Sequence, residues 1–279
     1  MYPFSVGVIL DSFRVPIPEA IKKAKSVGAQ GLQVYATAGE MSPEEMTPAK
    51  CREFLKMCDD SGLVISALCG DLGKGFTHPE ANPELIERSK RIVDLAKTLG
   101  TNIVTTHIGM VPEDPSCDTY RIMQAACREL AEYADEMEAH FAIETGPEPA
   151  TRLRAFLDSL GSHGVAVNMD PANLTMCVND DAVQAVYTLG DYIVHTHAKD
   201  GVSFTNSATV LNSEMAIQAA AGVKWQELPL GEGGVDWPNY LKALDDIGFK
   251  GFLTIERECG DDPERDIRKA ADFLRNLIR

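Results

Sequence analysis

Basic residues are scarce in this chain. Across 279 residues there are 26 Lys and Arg against 42 Asp and Glu, a formal charge of −16. So acidic a surface repels phosphate backbones and anionic headgroups, and no run of Lys and Arg offers a local exception. Nucleic acid and membrane are therefore not expected partners. Long apolar runs are missing too, since none approaches the ~20 residues that span a bilayer. Met1 to Arg14 puts its first basic residue after the apolar segment, the reverse of a secretory signal. The seven cysteines form no CxxC pair and have no regular spacing; Cys51, Leu55 and Cys58 share one helical face. They read as reduced core residues of a cytoplasmic protein. Gly70, Gly73 and Gly75 do not make GxGxxG, and Lys74 is not followed by Ser or Thr. With GxSxG, HExxH and an EF-hand loop also missing, dinucleotide, P-loop, serine-hydrolase, zincin and calcium chemistry lack support.

What is present is alternation. Apolar or β-branched runs occur at Phe4–Ile9, Gly31–Tyr35, Val64–Cys69, Ile103–Ile108, Phe141–Thr145, Val165–Asp170, Tyr192–Ala198 and Phe252–Glu256. Most are continuously hydrophobic, as strands covered on both faces must be. Between them lie amphipathic segments. Thr47-Pro48, Asn82-Pro83, Asp236-Trp237-Pro238 and Asp262-Pro263 read as capped helix starts, and Gly62, Gly100 and Gly248 as helix stops. Eight such units without a low-complexity linker predict an α/β fold, a single-domain (β/α)8 TIM barrel over residues 1–279. A doubly wound sheet usually has fewer strands, and its phosphate fingerprint is missing.

The active face of such a barrel is built at the strand C-termini. The fourth predicted strand delivers His107, the fifth Glu144, the sixth Asp170, the seventh His195 and His197, and the eighth Glu256. One polar residue at a strand end is an ordinary solvated rim. Ionisable groups on five consecutive strands are better explained as a site. Glu, Asp, His and Glu form a mixed oxygen and nitrogen set suited to one divalent ion: Mn²⁺, Co²⁺, Mg²⁺ or Zn²⁺. Without a cation, three converging carboxylates repel one another. His195 and His197 are two apart on a strand and share a face, so one can ligate while the other binds substrate or orients a neighbour. His107, Asn173, His195 and Lys199 are the expected substrate contacts.

The segments Ala142-Ile-Glu144-Thr, Asn168-Met-Asp170-Pro-Ala-Asn173, His195-Thr-His197-Ala-Lys-Asp200, Gly231-Glu-Gly-Gly-Val-Asp-Trp237 and Thr254-Ile-Glu256 together resemble the xylose-isomerase-like TIM barrels. Within these the chain is most similar to the sugar (phosphate) isomerase/epimerase branch, with its ketose 3-epimerases, hydroxypyruvate isomerase and inosose dehydratase. The resemblance implies metal ligation by Glu144, Asp170, His197 and Glu256, with the two glutamates as the proton-transferring pair. Two positions depart from the epimerases and bear on substrate identity. Asn173 stands where they carry His, and Lys199-Asp-Gly-Val-Ser203 lacks their Arg. The chain also resembles endonuclease IV, but the ligands that enzyme carries before its GEG segment are missing from Trp225–Leu230.

A divalent ion holding a carbonyl oxygen and the neighbouring hydroxyl acidifies the proton between them and leads to an enediolate. Return of a proton to the opposite face is epimerisation, return to the next carbon is isomerisation, and loss of a β-hydroxyl is dehydration. The expected function is epimerisation or isomerisation of a small-molecule sugar or keto-polyol. A keto-inositol or 3-keto-sugar dehydratase is the alternative, and a non-catalytic sugar-binding barrel the alternative of another class. A homo-oligomer stays open. Three strand steps separate Glu144 from Glu256, which places them across the mouth. The long connection from about Gly201 to Leu230 is expected to cover the site.

Overall fold

The computed structural model describes residues 1–279. Eight parallel strands close into a barrel: β1 (Ser5–Ile9), β2 (Gly31–Tyr35), β3 (Val64–Cys69), β4 (Ile103–Thr106), β5 (His140–Glu144), β6 (Val165–Met169), β7 (Ile193–Ala198) and β10 (Phe252–Ile255), with β10 pairing β1 to complete the circle. Closure leaves no unpaired edge, so the short strands need no other protection. The chain is thus a single-domain (β/α)8 TIM barrel, as its alternating pattern predicts.

The helices between the barrel strands are α1 (Ile17–Ser26), α2 (Pro48–Ser61), α3 (Asn82–Thr98), α4 (Asp118–Glu136), α5 (Ala150–Leu160), α6 (Pro171–Asn173), α7 (Ala182–Leu189) and α9 (Trp237–Asp246); α10 (Pro263–Ile278) closes the chain. None is long and apolar enough to cross a membrane. Their inner stripes, such as Trp237, Tyr240, Leu241 and Leu244 on α9, merge with the outer strand faces into one hydrophobic core. The caps at Thr47, Asp236 and Asp262 each accept the backbone N–H expected of them. Gly62 ends α2 at φ 69°, where a Cβ is strained. Asn82 differs from expectation. It is already helical, Ala81 precedes it, and its amide donates to the Phe76 carbonyl at 3.1 Å instead of capping.

The connection after β7 also differs. It contains an antiparallel hairpin, β8 (Asp200–Ser203) with β9 (Trp225–Leu228), and between them α8 (Ser213–Ala220), which buries none of its residues. The hairpin sits against the turn after α6. Any Cβ on Gly201 would lie 2.2 Å from Met176 Sδ, so this crossing requires glycine.

Candidate active site and metal centre

Each ligand-type side chain reaches the barrel mouth because an apolar run carries it there. Glu144 is the last residue of β5, and Asp170 and Glu256 follow β6 and β10 directly. His197 lies within β7. His107, expected as the end of a strand, falls just beyond β4, which stops at Thr106. One donor atom from each of Glu144, Asp170, His197 and Glu256 lies within 4.8 Å of the others, and all four residues are buried. The two glutamates are thus closer than positions across the mouth suggest, because both reach toward the barrel axis.

The cluster is organised around His197 Nδ1. Glu256 Oε2 lies 3.3 Å from it, Glu144 Oε1 3.4 Å and Asp170 Oδ2 3.8 Å. The far ring nitrogen, Nε2, sits 3.0 Å from Gln33 Oε1. In the tautomer assigned by donating Nε2–H to Gln33, Nδ1 keeps its lone pair for the cluster. Asp170 divides its carboxylate. Oδ1 accepts the N–H groups of Ala172 and Asn173 at 2.8 and 2.9 Å, while Oδ2 is buried without a partner. His197 Nδ1 is likewise buried and unpartnered. Two buried ligand atoms without a partner, facing two carboxylates, suit a cation. The residues fit a divalent ion, and the four together can hold one.

The electrostatics agree. Burial disfavours a charged His197, yet Glu144 and Glu256 overcome it and raise its pKa well above the usual imidazole range. That upward shift reflects how strongly these carboxylates favour a positive charge at this point. Burial would also raise Glu256, but His197 and the Lys199 ammonium, 3.0 Å from Oε2, hold it below the carboxylate range. Asp170 is raised by burial.

The cluster forms the floor of a cavity of about 200 Å³, whose walls include His107, Asn173 and Lys199 among the expected substrate contacts. Asn173 Nδ2 donates to Glu144 Oε1 at 3.0 Å. His107 bridges Asp71 Oδ2, at 3.1 Å from Nδ1, and Glu144 Oε1, at 3.5 Å from Nε2. The Glu144 charge pushes its pKa up to about 9, burial opposing and Asp71 assisting. Lys199 also pairs with Glu258.

His195 is the expected substrate contact that does not line the cavity. It is 1% exposed and lies beneath the floor, with Nε2 2.9 Å from Gln33 Oε1. Burial, with His197 beside it, lowers its pKa to about 3 and keeps it neutral. Its position orients Gln33, not a ligand. The connection from Gly201 to Leu230, expected as a cover, contributes no residue to the cavity wall either.

Gln33, Tyr35, Cys69, Asp71 and Glu258 line the cavity without having been foreseen, and Asn168 supports its floor through a 3.0 Å bond to Glu144 Oε2. Gln33 and Asn168 had a visible signal: each is an amide inside an otherwise apolar strand. Asp71 and Glu258 sit in loops where acidic residues are common, and nothing local marks them.

A parallel eight-stranded barrel defines a TIM barrel, and the Glu–Asp–His–Glu cluster lies at its strand C-termini, the face on which such barrels carry their sites. Residues 21–277 match the model of the xylose isomerase-like TIM barrels, and the chain belongs to that family. It is 22% identical over 271 residues to the putative L-ribulose-5-phosphate 3-epimerase SgbU of Escherichia coli K12, covering 92% of this chain and 90% of that one. Among solved structures it resembles a xylose isomerase domain protein from Planctomyces limnophilus at 25% identity and a TM-score of 0.80, covering 99% and 96% of the two chains. It also resembles the probable 3-DHS dehydratase AsbF of Bacillus anthracis at 19% identity and a TM-score of 0.76, over 98% and 99%. The last likeness is one of fold alone.

Proposed function

We propose that the protein is a divalent-metal-dependent epimerase or isomerase acting on a ketose or related keto-polyol through an enediolate. The observation that carries this reading is the pair of buried carboxylates, Glu144 and Glu256, set around one ligand nitrogen and open to one small cavity. Binding alone needs no such pair. The relationship to a putative 3-epimerase points the same way. Held by Glu144, Asp170, His197 and Glu256, a divalent ion supplies a Lewis acid for the substrate's carbonyl and neighbouring hydroxyl oxygens.

The chain's own groups do the rest. Glu256 Oε2 faces His197 and Lys199, which leaves Oε1 without a hydrogen bond in the protein and free to take a proton. Glu144 is held at both oxygens, Oε1 by Asn173 and Oε2 by Asn168. Glu256 is therefore the less encumbered base, and Glu144 the partner on the other side of the substrate. His107, charged and half-exposed, is placed to donate to a substrate oxygen.

Two experiments test this. Screening ketoses and keto-inositols by NMR in D2O with added Mn²⁺ should show deuterium at the carbon beside the carbonyl, with conversion to an epimer or isomer. Exchange followed only by loss of water would favour a dehydratase. Separately, protein purified without chelator should hold or accept one equivalent of metal. His197→Ala and Asp170→Ala should each weaken that binding by at least ~10-fold, the lower end for loss of a ligand-shell group. Unchanged affinity in both would remove the cluster as the metal site.

A further inference from the structure

The cavity wall says something about the charge of what it takes. Asp71, Glu144, Glu256 and Glu258 line it, and Asp170 lies at the floor beside them. Apart from the ligand His197, the basic side chains on the wall are Lys199 and His107, and both are engaged: Lys199 by Glu256 and Glu258, His107 by Asp71 and Glu144. Five carboxylates thus converge on a wall that carries two basic side chains besides the ligand His197. No cation on the wall is free to meet a second anion.

Backbone N–H groups could hold a phosphate instead, as glycine-rich turns and helix N-termini often do. Here many of those positions are filled by the chain itself; α1, α3 and α5 start without a side-chain N-cap, but none of these starts lines the cavity. Two glycine-rich turns lie near the strand ends: in the one after β3, Gly73 N donates to Asp71 Oδ1 at 2.8 Å, and the other, Gly231–Gly234, is wrapped around Asp200. Gly231 N donates to Asp200 Oδ2 at 2.9 Å, Val235 N to Oδ1 at 3.2 Å, and Gly234 N to the Gly201 carbonyl at 2.8 Å. An internal carboxylate thus occupies the cradle. The helix starts after β6 and β10, and those of α7 and α9, are capped by Asp170, Asp262, Asp181 and Asp236.

Four arginines, two in strand-end loops and two on α3 and α5, are held by the chain as well. Arg14 donates to the carbonyls of Glu258 and Gly260, and Arg257 is buried between Glu227 and Asp266. Arg88 and Arg152 donate to the carbonyls of Thr37 and Val111. Lys74 and Lys224 are exposed, but neither lines the cavity.

We propose that the substrate is an uncharged polyhydroxylated ketone, a free sugar or cyclic keto-polyol, and that its phosphate ester is rejected. This rests on the sugar-epimerase reading above and narrows it. It also separates this chain from the relative whose name specifies a 5-phosphate. A wall of carboxylates and amides accepts from many hydroxyls, which are donors, and repels a dianion.

The test compares binding and exchange on the Mg²⁺-loaded protein. Sorbitol and sorbitol 6-phosphate are titrated by calorimetry; fructose and fructose 6-phosphate are followed for deuterium uptake in D2O. Sorbitol should bind at least ~10-fold more tightly than its phosphate, a gap that narrows as salt rises from 0.05 to 0.5 M by about the usual screening of charge. Fructose should exchange faster than its ester. Tighter binding of the phosphate overturns the inference, and its loss in a Lys74→Ala, Lys224→Ala double variant would locate the phosphate on the rim. A preference for sorbitol with no exchange of either sugar would sustain the charge argument and sink the epimerase reading. Binding of neither compound would sink both.

Discussion

Replacing Glu256 by Gln lowers turnover by at least ~10²-fold, the scale of a lost general acid or base, and Glu144→Gln lowers it by a comparable factor. The substitution keeps the side chain's shape and one ligand oxygen while removing the base. The two variants should differ in character. Glu256 Oε1 is free in the cavity, so losing it removes the carboxylate best placed to take a carbon-bound proton. Glu144 accepts from Asn168 and Asn173, and a Gln there sets an amide nitrogen against one of those donors. That variant should also place the substrate less well, raising KM as kcat falls. In D2O the parent should incorporate deuterium in step with epimerisation. Each variant should still exchange from the one face it can reach without completing inversion. Both need assay at saturating metal, because removing a charge from the ligand set weakens the ion. A variant that epimerises normally, with deuterium incorporated as in the parent, takes that glutamate out of the mechanism.

Much of this site was readable because a buried parallel strand is continuously apolar, so the first ionisable residue after the run marks the strand's end. Glu144, Asp170 and Glu256 stand out in that way, and His197 by its alternation with His195. The same logic left His195 open between contacting substrate and orienting a neighbour. Period two puts both histidines on the inner face, but it does not say how deep each lies, and one residue pair along the strand separates cavity floor from core. The hairpin was invisible for a different reason. Asp200–Ser203 is short and polar, and its partner at Trp225–Leu228 lies beyond α8, a pairing that no local pattern encodes. Asn82-Pro83 has the composition of a cap, yet Ala81 is already in the helical region and the Asn amide finds a loop carbonyl instead.

Asp200 shows most plainly how a residue of a site motif can serve the scaffold. It stands next to Lys199 and closes the His195–Asp200 segment. In the fold it is 1% exposed and takes four donors, Gly201 N and Val235 N on Oδ1, Gly231 N and Trp237 Nε1 on Oδ2, all within 3.2 Å. Burial raises its pKa even against those four bonds. Asp200→Ala would strand these four donors. One unmet buried group costs about 1–3 kcal/mol; with relaxation and water entry, roughly 3–5 kcal/mol in total is expected. At ~2–4 °C per kcal/mol for a domain near this size, that is a fall in Tm of about 6–20 °C. Asp200→Asn retains one acceptor oxygen but turns an amide N–H₂ toward two donors, so it should fall between alanine and the parent. Because the Gly231–Gly234 turn and the start of α9 both hang on this carboxylate, the loss should appear as early opening there. Hydrogen exchange of Gly231, Val235 and Trp237 should speed up ahead of global unfolding. Thermal denaturation followed by circular dichroism decides the matter. An alanine variant melting within ~2 °C of the parent would mean that this turn is held by something other than Asp200.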